Sequence, residues 1–280
     1  MEKWFQKLFK TRKPIIAMAH IPALPGSPRC RLSLEETVKW VKRDVKNLSK
    51  ARVDAVLFCN EDDRPYTLQA SPEQVAAMTR VVVEAKPISG VFGVDVLWDP
   101  YASMAVAHAT GAHFVRGVFT GVYESDMGLW SPDASSVARL RRRVGAEGVR
   151  MFFNIVPEFA SPLGGRSPAE RALSAQVSSL ADVLLVSGHM AGAEADLETL
   201  REVKKASNVP VLVNTGVNEG NLERYLEVAD GAIVGTSLKQ GGYTWGPVDP
   251  ERAKRFMEKA RSLRRHLDQS RSTLPGPPTL

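Results

Sequence analysis

Cysteine is scarce in this sequence of 280 residues, which contains only Cys30 and Cys59. Neither has the paired spacing of a zinc or iron–sulfur site, and two free thiols suit a reducing compartment. Long apolar runs are missing too, since none approaches the ~20 residues that cross a bilayer. The N-terminus lacks the apolar segment and small-residue cleavage site of a secretory signal. The sequence therefore predicts a cytoplasmic globular protein.

Motifs of nucleic-acid recognition are absent as well, because the sequence has no zinc finger, no Arg/aromatic strand motif and no helix-turn-helix pattern. The net charge of +6 comes entirely from the two ends of the chain. Residues 1–13 contribute +4 and residues 254–271 contribute +5, so the remainder is net negative. A positive excess of this kind is typical of solvated terminal helices, and we expect no nucleic-acid partner.

Short apolar runs recur at regular spacing and are separated by amphipathic segments of helical length. The eight runs are 14–20, 54–60, 91–97, 114–120, 149–156, 182–188, 210–216 and 231–237. The clearest helical segments, which begin at Ser or Asp caps, are 33–51, 71–85, 196–207 and 249–267. Runs that are apolar along their whole length indicate a sheet covered on both faces. Eight alternations predict a single (β/α)8 TIM barrel over residues 14–267.

An open, doubly wound sheet is the competing architecture. It would usually carry a glycine-rich fingerprint after its first strand, where this chain reads HIPALPGSP. Outside the barrel, residues 1–13 form a predicted amphipathic helix with four aromatic or aliphatic side chains on one side. This helix either closes the barrel floor or docks on a membrane surface or partner. Residues 268–280 are polar and proline-rich, and we predict that they are disordered.

The runs 210–216 and 231–237 end in residue types suited to binding an anion. Because the carboxyl ends of barrel strands meet at one mouth, both turns should lie side by side on its rim. Glycine leaves backbone amides uncovered, and Ser or Thr adds hydroxyl donors. The predicted phosphate site therefore comprises Gly188, Asn214, Thr215, Gly216, Gly235, Thr236, Ser237 and Lys239, with Lys239 supplying a charge. The alternative is that Gly-Thr-Ser merely makes a tight turn.

Four stretches of the chain are similar to the BtpA/SgcQ family of phosphate-site barrels. They are KPIIAMAHIPALPGSPR (13–29), FTGVYESDMG (119–128), DLETLREVK (196–204) and GTSLKQGGYTWGPVDPERAKRFME (235–258). The resemblance implies a (β/α)8 barrel with a phosphate site after its seventh and eighth strands. One branch of this family is associated with photosystem I biogenesis, and another branch occurs among sugar-utilisation genes. Barrels of this family often self-associate, so we expect a homo-oligomer.

Parts of the mouth depart from the family pattern. After strand five the family tends to read Ala-Asp-Val-His-Val-Lys-His, where this chain reads FNIVPEF (153–159). Strand two usually ends in Glu-Asn-Phe-Gly-Asp, where this chain has CNEDD (59–63), and Trp98 stands where an Arg is usual. The phosphate half of the pattern is kept, whereas the half in which chemistry would take place is altered.

The candidate catalytic residues are His20, Asp95, Arg116 and Asn154. His20 ends the first strand, where it is either a general acid or base or a side chain that hydrogen-bonds the backbone. Asp95 and Arg116 occupy inward positions on neighbouring strands, so we predict an ion pair in the lumen. That pair is either structural or orients the substrate. Asn154 ends strand five, with Glu158 four residues further on.

Other polar residues of the mouth are candidates for substrate contact or for a lid. They are Asn60, Asp63, Tyr123, Asp126 and His189, and the long segment 121–133 is either a lid or a subunit contact. The acidic run Glu61-Asp62-Asp63 offers oxygen ligands to a divalent metal, but consecutive acids on a loop are more often solvated. No cofactor motif is present, so the cofactor stays unknown.

Two classes of function follow. The first is an enzyme that acts by proton transfer on a phosphorylated sugar or nucleotide-like metabolite, as an isomerase, epimerase, lyase or phosphate-ester hydrolase. The second is an assembly factor for a membrane complex that retains the phosphate site and associates peripherally with the membrane. The lumenal charges and the long fourth loop favour the enzyme, whereas the altered second and fifth loops favour the assembly factor.

Overall fold

The computed structural model describes residues 3–88 and 90–272, with side chains as far as residue 267. The strands in this part of the chain are β1 (Ile15–His20), β2 (Ala55–Cys59), β3 (Val91–Asp95), β4 (Phe114–Gly117), β5 (Tyr123–Ser125), β6 (Gly128–Trp130), β7 (Arg150–Val156), β8 (Ala160–Pro162), β9 (Val183–Val186), β10 (Val211–Asn214) and β11 (Gly231–Val234). The helices are α1 (Lys3–Phe9), α2 (Leu34–Ala51), α3 (Pro72–Ala85), α4 (Pro100–Thr110), α5 (Ala134–Arg143), α6 (Pro168–Ser178), α7 (Leu197–Ala206), α8 (Leu222–Val228) and α9 (Pro250–Ser272).

Eight of these strands are parallel and close into a barrel in the order β1, β2, β3, β4, β7, β9, β10, β11. The barrel closes through β11, which pairs with β1 in the register Ile16 to Ile233. Each of the eight runs predicted from the sequence contains one of these strands, so the (β/α)8 barrel is confirmed. Local signals set the helix starts: Ser33 and Ser71 each form a reciprocal capping box with the residue three positions on.

The barrel strands are buried on both faces, because one face meets the helices and the other meets the lumen. Side chains at alternate positions separate accordingly, with Val94 and Val115 in the outer layer and Phe114 and Phe152 inside. The rings of Phe114 and Phe152 stack with centroids 4.4 Å apart. A Cβ on Gly93 would lie 2.3 Å from the Phe114 ring, so glycine at this position makes room for the lumenal aromatic pair.

Helix α1 closes the floor of the barrel. Phe5 and Phe9 are buried, and the Phe9 ring lies 6.3 Å from Phe114 and 6.5 Å from Phe152. The guanidinium of Arg150 lies 4.4 Å from the centre of the Trp4 ring. The aromatic side of this helix is therefore committed to the barrel, which favours the floor-closing alternative over membrane or partner docking.

None of the helices within residues 3–88 and 90–272 combines the length and the apolarity that a membrane-crossing segment requires.

The long segment 121–133 forms a hairpin. Strands β5 and β6 pair antiparallel, and β8, from the segment after β7, adds to β5 to give a small sheet in the order β6-β5-β8. Its buried side carries Tyr123 and Trp130, whose rings lie 5.6 Å apart, and Trp130 packs on Trp98 at 5.4 Å. The segment predicted as a lid or subunit contact is therefore part of the wall of the barrel mouth.

Helix α9 ends later than the sequence analysis placed it. The helix continues as far as Ser272, so the prediction that disorder begins at 268 is wrong for residues 268–272. The reason is that the sequence contains no glycine or proline from 251 to 274, and the first helix breaker is Pro275. The rest of the predicted tail, residues 273–280, lies outside the described residues.

Candidate functional site

A cavity of about 240 Å³ opens at the carboxyl ends of the barrel strands, where barrel proteins bind their ligands. One half is lined by residues 215–218 after β10, by residues 235–237 after β11 and by Arg252 of α9, and we call it the phosphate half. The other half is lined by Glu61, Arg116 and Glu158 beside the rings of Trp98 and Phe159, and we call it the acid half. The cavity therefore joins the two groups of residues that the sequence analysis distinguished.

The turn after β10 exposes backbone amides because Thr215 and Gly216 both adopt left-handed conformations, with φ of 71° and 64°. A Cβ on Gly216 would lie 2.3 Å from the carbonyl oxygen of Ala193, so only glycine fits there. Within the described chain, the amides of Gly216 and Val217 donate to no protein acceptor. Both are free to bind oxygens of a ligand.

The hydroxyl of Thr215 is already used by the protein. It accepts a hydrogen bond from the amide of Gly188 at 2.6 Å and donates to the carbonyl of Ala193 at 2.9 Å. Gly188 does not line the cavity, and a Cβ there would lie 2.4 Å from the same carbonyl oxygen. Contrary to the prediction, Gly188 supports the turn and does not face the ligand, and Thr215 faces the cavity without a free hydroxyl.

The turn after β11 brings a second pair of amides to the cavity. Gly235 lies against the ring of His20, where a Cβ would come within 3.1 Å of a ring carbon. The amides of Thr236 and Ser237, which begin a short 3-10 helix, have no acceptor within the described residues. The hydroxyl of Ser237 donates to the carbonyl of Val217 at 2.7 Å and so joins the two turns.

Lys239 does not line the cavity, contrary to the prediction. It is fully buried, and its Nζ lies 3.6 Å from Oδ2 of Asp44 on α2, which is also fully buried. The cause is the backbone of Lys239, which forms an antiparallel bridge with Val248 and carries the side chain outward, between the barrel and α2. Burial lowers the pKa of Lys239 and raises the pKa of Asp44, while the charge of each residue opposes the shift in the other.

The cation that lines the phosphate half is Arg252, which lies in the first turn of α9. The sequence analysis did not identify this residue. Its Nε donates to the carbonyl of Ser237 at 2.9 Å, which orients the guanidinium. No carboxylate in the described part of the chain forms an ion pair with Arg252, and its terminal nitrogens make no hydrogen bond there. The sequence signal was an Arg three residues after the Asp cap of the helix that follows the eighth strand.

Arg116 organises the acid half. Its Nη1 lies 3.0 Å from Oδ2 of Asp95, and its Nη2 lies 2.6 Å from Oε1 of Glu158. The ion pair predicted between Asp95 and Arg116 is therefore present in the lumen, and Glu158 adds a second carboxylate. Nδ2 of Asn154 donates to Oε2 of Glu158 at 2.7 Å, and Nδ2 of Asn214 donates to Oε1 at 3.1 Å. Asp95 and Asn154 do not line the cavity, so they act by positioning Arg116 and Glu158.

Glu61 is a third carboxylate in this half. It lies on the cavity and has no ion pair with any described cation, and its nearest polar neighbours are the Tyr66 hydroxyl at 3.4 Å and the Cys59 thiol at 3.5 Å. Burial raises the pKa of Glu61 to about 7; the charge of Arg116 opposes the shift and that of Glu158 adds to it.

Burial also raises the pKa of Asp95 to about 7 against the opposing charge of Arg116. Glu61 and Asp95 are thus two carboxyl groups of raised pKa beside one guanidinium. Asp95 is ion-paired with Arg116 and lies away from the cavity, whereas Glu61 lines the cavity without an ion pair among the described residues. The sequence analysis weighed Glu61 only as one of three loop acids.

His20 lines the cavity as a neutral ring. Its Nδ1 lies 2.8 Å from the carbonyl oxygen of Thr244, and because a carbonyl can only accept, Nδ1 carries the proton. Burial lowers the pKa of His20 to about 3, and the charge of Lys239 adds to the effect. The structure thus supports the backbone-bonding alternative for His20 and leaves Nε2 as an acceptor, with no proton to donate to a ligand at neutral pH.

Asn60 and Asp63 brace loops and do not line the cavity, contrary to their predicted contact with substrate. Oδ1 of Asn60 accepts from the amide of Leu97 at 2.7 Å, and Oδ1 of Asp63 accepts from the amide of Leu24 at 2.6 Å. Nδ2 of Asn60 donates to Oδ2 of Asp63 at 2.8 Å. This network joins the loops that follow β1, β2 and β3, so it holds Glu61 in place without reaching the ligand.

The three remaining candidates lie away from the cavity as well. Tyr123 is buried, with its hydroxyl donating to the carbonyl of Thr120 at 3.0 Å. Asp126 is exposed at the turn of the hairpin, and His189 is exposed. The carbonyl of His189 accepts from the amide of Phe159 at 3.0 Å. These residues form part of the wall of the barrel mouth and do not line the cavity.

The acidic run after β2 does not form a metal site. Glu61 faces the cavity, Asp62 pairs with Arg29 at 3.1 Å and Arg64 at 2.6 Å, and Asp63 binds the amide of Leu24. Within residues 3–88 and 90–272, no group of three or more His, Cys, Asp and Glu side chains is placed to hold a metal ion.

The fold is shared with solved structures of low sequence identity. Tryptophan synthase from Mycobacterium tuberculosis superposes with a TM-score of 0.61 at 18% identity, covering 92% of this chain and 97% of that one. Thiamine phosphate pyrophosphorylase from Pyrococcus furiosus superposes with a TM-score of 0.52 at 16% identity, covering 91% and 96%. At these identities the likeness shows the barrel fold alone.

Sequence relatives are much more similar. The putative sgc region protein SgcQ of Escherichia coli is 41% identical, over 94% of this chain and 99% of that protein. The photosystem I biogenesis protein BtpA of Synechocystis is 30% identical, over 89% of this chain and 88% of that protein. The BtpA family model matches residues 11–262. The chain therefore belongs to the BtpA family.

Proposed function

We propose that this protein is an enzyme that binds a phosphorylated sugar or nucleotide-like metabolite in the mouth cavity and transfers a proton through Glu61. The phosphate occupies the phosphate half, and the carbon that reacts lies in the acid half. The reaction is an isomerisation, an epimerisation or a lyase reaction. Arg116 and Glu158 hold the substrate, and His20 accepts a hydrogen bond from it at Nε2.

One observation carries this proposal: the amides of Gly216, Val217, Thr236 and Ser237 and the terminal nitrogens of Arg252 have no protein acceptor among the described residues, and all five residues line the same half of the cavity. The lining of this half contains no carboxylate. Clustered amides and an unpaired arginine favour an anion with several oxygens, and a phosphate monoester has that shape and charge.

The division of the cavity supports proton transfer over hydrolysis of the phosphate ester. The carboxylates of Glu61 and Glu158 follow β2 and β7, whereas the amides and Arg252 follow β10 and β11, which occupy a different part of the barrel circumference. A substrate anchored by its phosphate therefore presents its other end to the acid and base groups. A pKa near 7 suits a residue that both accepts and returns a proton at neutral pH, and burial gives Glu61 that value.

The assembly alternative, which the altered second and fifth loops favoured, used the outer surface of the protein, including the aromatic side of α1. That side is buried in the barrel floor through Phe5 and Phe9. The cyanobacterial relative that is named for photosystem I biogenesis is 30% identical to this chain. That name by itself supplies no surface on this protein for such a role. We therefore retain the enzyme as the proposed function.

Replacing Arg252 by alanine is expected to weaken binding of glycerol phosphate, the smallest test ligand with a phosphate monoester, by 10- to 100-fold. A hydrogen bond to a charged group is worth about 1.5–3 kcal/mol, and about 1.4 kcal/mol corresponds to a factor of ten. Isothermal titration calorimetry on the wild type and the variant measures the difference.

Arg255→Ala is the matched control for this experiment. Arg255 lies on the same helix, is about half exposed, and its nearest acid is Glu219 at 3.9 Å. We expect the control to bind glycerol phosphate as the wild type does. A wild type that does not bind glycerol phosphate, or an equal loss in both variants, contradicts the proposed function.

A further inference from the structure

Two residues that line the cavity each have a buried nitrogen donor without a hydrogen-bond partner among the described residues. The donors are Nε1 of Trp98 and Nε of Arg116. The side chains are 5% and 4% exposed, and both residues line the cavity. The other described residues with an unpaired buried polar atom, such as Asp44 and Lys239, lie away from it. Since folded proteins seldom leave such groups unpaired, these two donors indicate a ligand oxygen.

Both donors belong to the acid half. The ring of Trp98 lies 5.9 Å from the ring of Tyr66, whose hydroxyl contacts Oε1 of Glu61 at 3.4 Å. Arg116 is tied into the same half by its ion pair with Glu158 at 2.6 Å. Because Trp98, Arg116 and Glu61 line the same cavity, we place the ligand oxygen that binds the two donors next to the carbon that meets Glu61.

The charges of the acid half determine which kind of ligand oxygen can bind to the two donors. The guanidinium of Arg116 is already ion-paired with Asp95 and Glu158, so a second anionic group on the ligand would find no free positive charge in the lining of this half. A neutral acceptor is favoured, and a carbonyl oxygen has no proton of its own to compete with the two N–H groups. The ligand thus carries a phosphate at one end and a carbonyl at the other.

The volume of the cavity further limits the class of ligand that fits. Its volume of about 240 Å³ lies below the ~300–1,000 Å³ that is usual for drug-sized ligands. A nucleotide, with a base and a ribose beyond the phosphate, is a poor fit for this space. A sugar phosphate in its open-chain form has the required two ends and the smaller bulk.

We propose that the substrate is an aldose or ketose phosphate whose carbonyl oxygen is held by the N–H groups of Trp98 Nε1 and Arg116 Nε while Glu61 removes the proton from the adjacent carbon. This inference rests on the proposed function, because the phosphate half has to anchor the substrate first. It assigns Trp98 as a catalytic residue and excludes phosphate-ester hydrolysis.

The step balances without an added reactant. The Glu61 carboxylate takes the proton, the electrons of the broken C–H bond form a carbon–carbon double bond, and the carbonyl electron pair moves onto oxygen. The negative charge thus passes from Glu61 to an oxygen beside two fixed donors, which is the arrangement that stabilises an enediolate. Delivery of a proton to the opposite face of the same carbon gives an epimer, whereas its return from Glu61 to the original face regenerates the substrate. Its return to the former carbonyl carbon, after the hydroxyl proton moves between the two oxygens, gives an aldose–ketose isomer.

The test measures hydrogen exchange in heavy water. Aldose and ketose phosphates of three to six carbons are incubated with the wild type, and loss of the C–H signal next to the carbonyl is followed by proton NMR. Trp98→Phe keeps an aromatic ring and removes the donor, and we expect it to lower the exchange rate by about 100-fold, as expected for losing one oxyanion donor. Binding of ribitol 5-phosphate, which has no carbonyl, should change by less than twofold.

Two further variants keep the test decisive. Trp40→Phe, on the outer helix α2, controls for loss of a tryptophan elsewhere and should exchange at the wild-type rate. Trp98→His retains a ring N–H and should exchange faster than Trp98→Phe.

Equal exchange in the wild type and in both Trp98 variants overturns the inference. Binding of glycerol phosphate without exchange of any sugar phosphate overturns it as well and leaves the proposed function standing, whereas absence of glycerol phosphate binding removes both.

Discussion

Replacing Lys239 by alanine is expected to destabilise the protein by about 3–5 kcal/mol, the usual result of removing one partner from a buried ion pair. Lys239 and Asp44 are both fully buried, and each is the other's nearest opposite charge at 3.6 Å. Neither the Lys239 ammonium nor either Asp44 oxygen has a hydrogen-bond partner among the described residues. Without Lys239, the Asp44 carboxylate keeps only the half-exposed Arg43, whose Nε lies 3.7 Å from Oδ1, to offset its burial. Urea denaturation at pH 7 measures the loss.

The same variant should bind glycerol phosphate as tightly as the wild type, because Lys239 does not line the cavity. The double variant Lys239→Met/Asp44→Leu is expected to recover most of the stability, since replacing a buried ion pair by apolar side chains is often neutral. If Lys239→Ala instead abolished phosphate binding and left the unfolding midpoint unchanged, Lys239 would be a phosphate ligand and our placement of its side chain would be incorrect.

Replacing Glu61 by glutamine is expected to lower the rate of proton exchange by about 10²- to 10⁴-fold. This is the usual contribution of one general acid–base group to a reaction rate. Glutamine keeps the shape of the side chain but has no proton to accept and return. Binding of glycerol phosphate should be retained, since Glu61 lies in the opposite half of the cavity. Asp62→Asn, which alters the next acid along the chain and lies outside the cavity, is the control and should exchange at the wild-type rate.

The pH profile gives an independent readout of Glu61. Its carboxylate form increases as the pH rises through about 7, so the wild-type exchange rate should rise over that range and then level off. The pKa of Glu61 in the folded protein lies above its ordinary value of 4.5, so the protonated side chain stabilises the fold at low pH, and this contribution is lost as the pH rises through about 7. Above that pH, Glu61→Gln should therefore unfold at a higher temperature than the wild type. A wild-type rate that does not change between pH 5 and 9 contradicts the assignment of Glu61.

The barrel could be predicted from the sequence because its signals are local and repeated. A strand covered on both faces is apolar throughout, as in β1, and the capping boxes at Ser33 and Ser71 mark helix starts within a few residues. The two anion-binding turns were predictable for a related reason. A residue type such as Gly216 reports directly on a backbone conformation and on a close approach to another segment.

Side-chain direction was harder to predict, because it depends on contacts distant in the sequence. The outward direction of Lys239 follows from its bridge with Val248. The position of Arg252 on the cavity requires the docking of α9 and a hydrogen bond to the carbonyl of Ser237. Nothing in the run Glu61-Asp62-Asp63 says which of three adjacent carboxylates faces the lumen, since that depends on how Asn60 and Asp63 brace the loop.

Strand alternation did predict the lumenal pair. With Val94 and Val115 directed outward, Asp95 and Arg116 had to face inward on adjacent strands, and they lie 3.0 Å apart. The second partner of Arg116, Glu158, comes from a loop after β7 and is oriented by Asn154 and Asn214. Periodicity carries no information about such a loop, so the complete acid half required the structure.

The most direct test of the account is a crystal structure of the protein with ribitol 5-phosphate. We predict that the phosphate lies within hydrogen-bond distance of the amides of Gly216, Val217, Thr236 and Ser237, with the guanidinium of Arg252 on its open side and the polyol chain directed toward Glu61. A phosphate bound elsewhere, or a corner filled by protein side chains while the ligand is bound, would contradict it.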